Sequence, residues 1–123
     1  MSVLCRILND EQEAYFRHDE YVISETRYQA DKLRNADILV LDESFDIEKM
    51  KAYKSKWNLD LLDTFIRNRM DDGDKSTFYI SNIQPQLIDT DLFGYSIRDL
   101  IDRDTEVLKF MDRYDGTIPI RRA

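Results

Sequence analysis

The run DILVL at 37–41 is short and compact, and it ends in two acids, Asp42 and Glu43. Without polar alternation, it fits a strand of a parallel sheet buried on both faces. A strand of that kind needs elements packed on either side of it. It therefore constrains the rest of the chain more than any other segment does.

The flanking sequence supplies such elements. Val3, Leu4, Ile7 and Leu8 recur at helical spacing and predict a short amphipathic helix over 2–12. EAYFRHDEYVI at 13–23 is rich in aromatic and β-branched residues and predicts a strand. Ser24 is placed to cap a helix over 25–34, with Arg27 on its exposed side. Residues 46–56 are polar and lysine-rich. Beyond them, Trp57, Leu61, Leu62, Phe65 and Ile66 give a helix to Met70, and DDGD at 71–74 stops it. STFYIS at 76–81 predicts a second buried strand, and 82–91 a loop containing Pro85. A helix over 95–103 and a third short strand over 106–111 follow, and DGTIPIRRA forms a tail. The alternation of helix and strand predicts an α/β sheet with parallel strands. With no internal repeat and no linker, residues 1–123 form one domain.

Composition narrows the function classes. A net charge of −7 argues against tight, unaided binding to nucleic acid, because phosphate contacts need clustered Lys and Arg. No apolar run approaches the ~18 residues of a membrane span. The first residues, MSVLCRILNDEQE, turn acidic too soon for a signal peptide. A single cysteine, Cys5, excludes an internal disulfide and reads as a reduced thiol at an apolar helix position in a cytoplasmic protein. His18 has no Cys or His at ligand spacing and reads as structural.

Three segments carry chemistry. At the C-terminal edge of an open α/β sheet, where ligands bind, Asp42 is placed to hold Mg²⁺ through water and Glu43 to polarise an attacking water. The plainer reading is a strand leaving the core into an acidic turn. About 40 residues on, STFYISN ends a second strand in Ser81 and Asn82, small polar groups suited to a γ-phosphate or its water. The plainer reading there is an Asn opening a loop. GYSIRDLIDRD at 94–104 supplies Arg103, and behind it Arg98, as candidates to stabilise transition-state charge on a neighbouring subunit's phosphate. Their plainer reading is surface pairing with Asp99, Asp102 or Asp104. Separately, KMKAYKSKW at 49–57 interleaves lysines, including Lys51, Lys54 and Lys56, with Tyr53 and Trp57, a pattern suited to single-stranded nucleic acid. A solvated loop with Trp57 in the core is the alternative.

In order, ADILVLDESFD, YKSKWNLDLLDTFIRNRMD, STFYISN and LFGYSIRDLIDRD resemble the AAA+ helicase-loader family, the DnaC-like and DnaI-like replication ATPases, phage forms above all. The likeness covers about 36–112. It implies a three-layer α/β/α P-loop NTPase fold with a mostly parallel sheet. By that resemblance Asp42 and Glu43 are the Walker B pair, Asn82 is sensor 1 and Arg103 the arginine finger. ATP and Mg²⁺ are the implied cofactors, and a replicative helicase, single-stranded DNA and further copies of the chain the implied partners.

The sequence departs from the family at the phosphate-binding loop. It contains no GxxxxGK[ST], and its three glycines are Gly73, Gly94 and Gly116. MSVLCRILNDEQEAYFRH looks like the end of the helix after that loop and the strand beyond it. The expected fold is thus incomplete, with the central P-loop strand missing and left to be supplied in cis or by another chain. A truncated reading frame, a split gene and a degenerate homologue all stay open. The rival function is a non-catalytic protein-binding module on a degenerate ATPase scaffold.

Overall fold

The structure, a computed structural model, describes residues 1–18, 20–51, 59–110 and 120–122. The described part is mixed α/β and mostly helical, with one small parallel sheet and one small antiparallel pair.

Two helices, α1 (Ser2–Arg17) and α2 (Glu20–Asn35), form an antiparallel hairpin. Leu4, Cys5 and Leu8 of α1 face the core, while Ala14 and Ala30 are fully buried and have side chains small enough for close approach. Helix α1 ends at His18, whose left-handed backbone (φ 55°) turns its N–H back to Tyr15 O at 3.3 Å. The strand expected within 13–23 is therefore absent: α1 runs through 13–17, and α2 starts at Glu20, so that Ser24 lies inside it and does not cap it. Tertiary pairing overrides the β-propensity of these residues. The Arg34 guanidinium bridges Glu11 of α1 and Asp31 of α2. The Tyr15 and Tyr28 rings lie under Arg27 and Lys32, at 5.1 and 4.5 Å from ring centre to cation.

β1 (Ile38–Leu41) pairs in parallel with β2 (Ser76–Tyr79), in the register Ile38↔Ser76 to Leu41↔Tyr79. Leu39 and Leu41 are buried, but Ile38 and Val40 are 68% and 54% exposed. The expectation of burial on both faces thus holds for one face only, because the described helices cover a single side. The core joins Leu39 and Leu41 to Met1, to Leu4 and Leu8 of the first helix and to side chains of the three helices that follow the strand.

Between the strands lie α3 (Ile47–Lys51) and α4 (Leu59–Asp71). Leu62, Phe65, Ile66 and Arg69 form the buried stripe of α4 at helical spacing. After β2, a single 3₁₀ turn at Pro85–Leu87 leads into α5 (Thr90–Asp104). The Asp89 carboxylate caps α5 by accepting the Leu92 N–H at 2.9 Å. Gly94 breaks the helix at φ 83° and ψ 156°, a region essentially reserved for glycine, and the helical segment expected over 95–103 resumes directly after it. Beyond the break, Ile97, Leu100 and Ile101 return to the core.

The third strand departs from expectation. β3 (Leu108–Phe110) does not join the parallel sheet but pairs antiparallel with β4 (Ile120–Arg122), inside the segment read as a tail. Among the described residues the expected single parallel sheet is thus a two-stranded parallel sheet and a separate antiparallel pair.

Candidate functional site

The C-terminal ends of β1 and β2 lie side by side. Parallel pairing continues one step past the strands, since Ile80 N–H donates to Leu41 O at 2.9 Å and Ser44 N–H to Ile80 O at 2.8 Å. Asp42 and Glu43 leave β1 at the edge where Ser81 and Asn82 leave β2. Of these four, Asp42, Glu43 and Asn82 are exposed.

The turn after β1 is tightly held. Glu43 and Phe45 both have left-handed backbones, at φ 49° and 62°, which non-glycine residues adopt at a cost of about 1–2 kcal/mol each. Two anchors hold the turn in place. Ser44, completely buried, donates its hydroxyl to Leu41 O at 2.6 Å. Phe45 is buried against Tyr79 (stacked, ring centres 5.9 Å apart) and Phe93 (edge to face, 5.3 Å). Core packing thus fixes a turn whose two carboxylates point into solvent. The Asp42 side chain accepts the Glu43 N–H at 2.8 Å, and its backbone carbonyl takes the Met1 ammonium at 2.8 Å. Burial pushes the pKa of that ammonium down, against the pull of the nearby Asp42 and Glu43. Lys49 of α3 pairs with Glu43 at 3.8 Å. Across the edge, the Ser81 hydroxyl accepts the Ile83 N–H at 3.0 Å.

Among the described residues no cluster of three or more metal-ligating side chains occurs. Two exposed carboxylates with few other partners suit Mg²⁺ only as an ion that keeps several waters and arrives with phosphates.

The two arginines lie elsewhere. α5 starts eight residues beyond Asn82, and after its break at Gly94 the remaining ten residues run for about 15 Å, leaving Asp104 in a cleft with Lys75 and Ser76 at the opposite end of β2. Arg103 is exposed and pairs with Asp104 through two contacts of 2.8 Å, which raise its pKa. Arg98 pairs with Asp99 at 3.0 Å and covers the Tyr95 ring. The structure thus brings Asp42, Glu43 and Asn82 to one edge and leaves Arg103 away from it. Of the lysines, Lys51 is the last residue of α3, while Lys54 and Lys56, with Tyr53 and Trp57, lie outside the described residues.

The strained turn and its Ser44 and Phe45 anchors carry no sequence signal, since left-handed backbone at Glu or Phe is unusual. Cys5 is buried, as its apolar setting implied, and burial pushes its thiol pKa up to about 12. No family model, curated protein or solved structure matches the chain.

Proposed function

We propose that this chain is the Walker B to arginine-finger portion of an ATPase of the helicase-loader type, acting in the cytoplasm on a replicative helicase and single-stranded DNA. One observation carries the reading: two parallel strands end together, one in Asp42 and Glu43, the other in Ser81 and Asn82. That edge of a parallel sheet is where ligands bind. In this reading Asp42 orients Mg²⁺ through water, Glu43 polarises the attacking water and Asn82 contacts the γ-phosphate. Backbone strain held by core packing at Glu43 suits a side chain kept in a fixed attitude. Arg103, near the far end of α5 beyond the break at Gly94, serves a neighbouring copy of the chain. Mg²⁺ and ATP supply the charge and the phosphoryl group, and the phosphate-binding segment comes in cis or from another chain.

Without that segment the chain binds Mg-ATP with a dissociation constant weaker than about 10 μM. With it supplied, Glu43→Gln abolishes hydrolysis and retains nucleotide, because the amide keeps the shape and loses the base. Arg103→Ala also stops hydrolysis, and mixing with a Glu43→Gln subunit restores it. Hydrolysis that survives Glu43→Gln counts against the reading. A second reading, a non-catalytic protein-binding module, is favoured by the absence of GxxxxGK[ST] and by the exposed sheet face.

A further inference from the structure

Ser44 lies between the two left-handed residues of the turn after β1, Glu43 and Phe45. Only glycine, and at times Asn or Asp, takes that conformation readily. A turn with no other task would carry glycine at such positions. The chain's glycines stand elsewhere, at 73, 94 and 116. Strain held in this way concentrates at sites where a side chain must keep one attitude. One of the two strained residues is Glu43 itself.

The Ser44 side chain is completely buried, where a hydroxyl costs stability unless it is hydrogen-bonded. It donates to Leu41 O at 2.6 Å, at the end of β1. The Ser44 N–H donates to Ile80 O at 2.8 Å, two residues before Asn82, and Leu41 O also accepts the Ile80 N–H at 2.9 Å. Leu41, Ser44 and Ile80 thus close a triangle of three hydrogen bonds that joins the end of β1, the turn and the end of β2. Asp42 and Glu43 leave from one side of this triangle, Ser81 and Asn82 from the other. Two of the bonds are main-chain and open to any residue but proline. The hydroxyl bond alone depends on the side chain, and the loop that it closes spans Asp42 and Glu43. Phe45 is held separately, by its ring against Tyr79 and Phe93.

We infer that Ser44 is a positioning residue for this edge: its hydroxyl keeps Glu43 left-handed and holds the Asp42–Glu43 pair at a fixed distance from Asn82. Without the hydroxyl the loop from Leu41 to Ser44 loses its brace. Glu43 then relaxes to negative φ, and its carboxylate leaves the attitude that the fold imposes on it. That the held carboxylates act on a metal-bound nucleotide rests on the ATPase reading. That Ser44 holds them rests on the hydrogen bonds alone.

The test compares the whole chain with Ser44→Ala and Ser44→Thr by NMR. The first readout is the sign of φ at Glu43, from backbone scalar couplings and the amide–Hα NOE. It should be positive in the parent and in Ser44→Thr, which keeps the hydroxyl at some cost in packing. Ser44→Ala should lose it, while Phe45 stays positive in all three. The second readout is the Mn²⁺-ATP concentration that half-broadens amides 41–45 and 80–83. Ser44→Ala should need about two- to tenfold more, because the net worth of one hydrogen bond sets the fraction of chains with the turn in place. A serine that only stabilised the fold would lower the melting temperature and move neither readout. Positive φ at Glu43 in folded Ser44→Ala overturns the proposal, and so does broadening that the substitution leaves unchanged. A Ser44 hydroxyl proton that exchanges in the parent as fast as an exposed serine's overturns it too, and needs no variant to fold. Parent amides untouched by Mn²⁺-ATP overturn the ATPase reading instead, and the sign of φ at Glu43 then decides alone whether Ser44 holds the turn.

Discussion

Replacing Arg69 tests how the sheet is held to its helices. Arg69 is 3% exposed. Its guanidinium donates to Leu33 O, Arg34 O and Ala36 O at 2.9, 3.1 and 2.8 Å, to Ser76 O at 2.9 Å and to Thr77 Oγ1 at 2.8 Å. Two of these carbonyls belong to the last turn of α2, where no intrahelical donor is left for them. One cation therefore caps α2 and ties it to the turn before β1 and to the start of β2. Arg69→Met keeps the packing of the aliphatic stem and orphans all five acceptors. At about 0.5–1.5 kcal/mol net per bond, and with the helix-end carbonyls partly recovered by water, the loss comes to about 3–5 kcal/mol. That is a large share of the ~5–15 kcal/mol that holds a domain together. At roughly 4 °C per kcal/mol for a chain of this length, the melting temperature falls by about 12–20 °C. Thermal and urea unfolding followed by far-ultraviolet circular dichroism measure it. Arg69→Lys, a point charge without the planar fork, should recover less than half of the loss. An Arg69→Met variant within about 1 kcal/mol of the parent would refute the reasoning, since water would then satisfy those acceptors equally well.

Three further outcomes follow from buried or strained groups. Tyr79→Phe removes a buried hydroxyl without a hydrogen-bond partner among the described residues and should raise stability by about 1 kcal/mol in urea unfolding; a loss of similar size would show that the hydroxyl is satisfied. Gly94→Ala should cost about 1–3 kcal/mol, because alanine pays for φ 83° even though the nearest side-chain atom to a new Cβ, on Leu59, is 3.8 Å away; an unchanged melting temperature would mean that the helix straightens there. Burial pushes both Cys5 and Tyr79 up to about 12, so the native state holds protons that the unfolded chain has already released; stability is unaffected below about pH 9 and should fall as pH rises from there toward 12, more gently in Cys5→Ala, whereas a flat profile would contradict that burial.

The sequence made legible the features that repeat with a period or end at a punctuating residue. Leu62, Phe65 and Ile66 marked α4, DDGD its end and Gly94 the point where α5 resumes. The two apolar runs, each ending in polar residues, placed Asp42 with Glu43 and Ser81 with Asn82 at neighbouring strand ends. Long-range packing decided what the sequence hid. Ile38 and Val40 look as apolar as Leu39 and Leu41, and only the absence of described helices on one side exposes them. Tyr15, Phe16, Tyr21 and Val22 favour strand locally but sit in a helical hairpin tied by Arg34 and Glu11. Arg69 occupies a core position seven residues after Leu62, where a charged side chain gives no apolar signal. The strain at Glu43 and Phe45 depends on Ser44 and Phe45 being buried, which no local pattern reveals.

The central claim is that the paired ends of β1 and β2 receive a metal-bound nucleotide. Paramagnetic broadening of the chain's amide signals by Mn²⁺-ATP at millimolar concentration tests it even where affinity is weak. The account predicts that amides 41–45 and 80–83 lose intensity first, that excess Mg-ATP restores them, and that Asp42→Asn removes the effect while leaving the spectrum folded. Broadening spread evenly over the surface, centred on the tip of the α1–α2 hairpin, or unchanged in Asp42→Asn would contradict it.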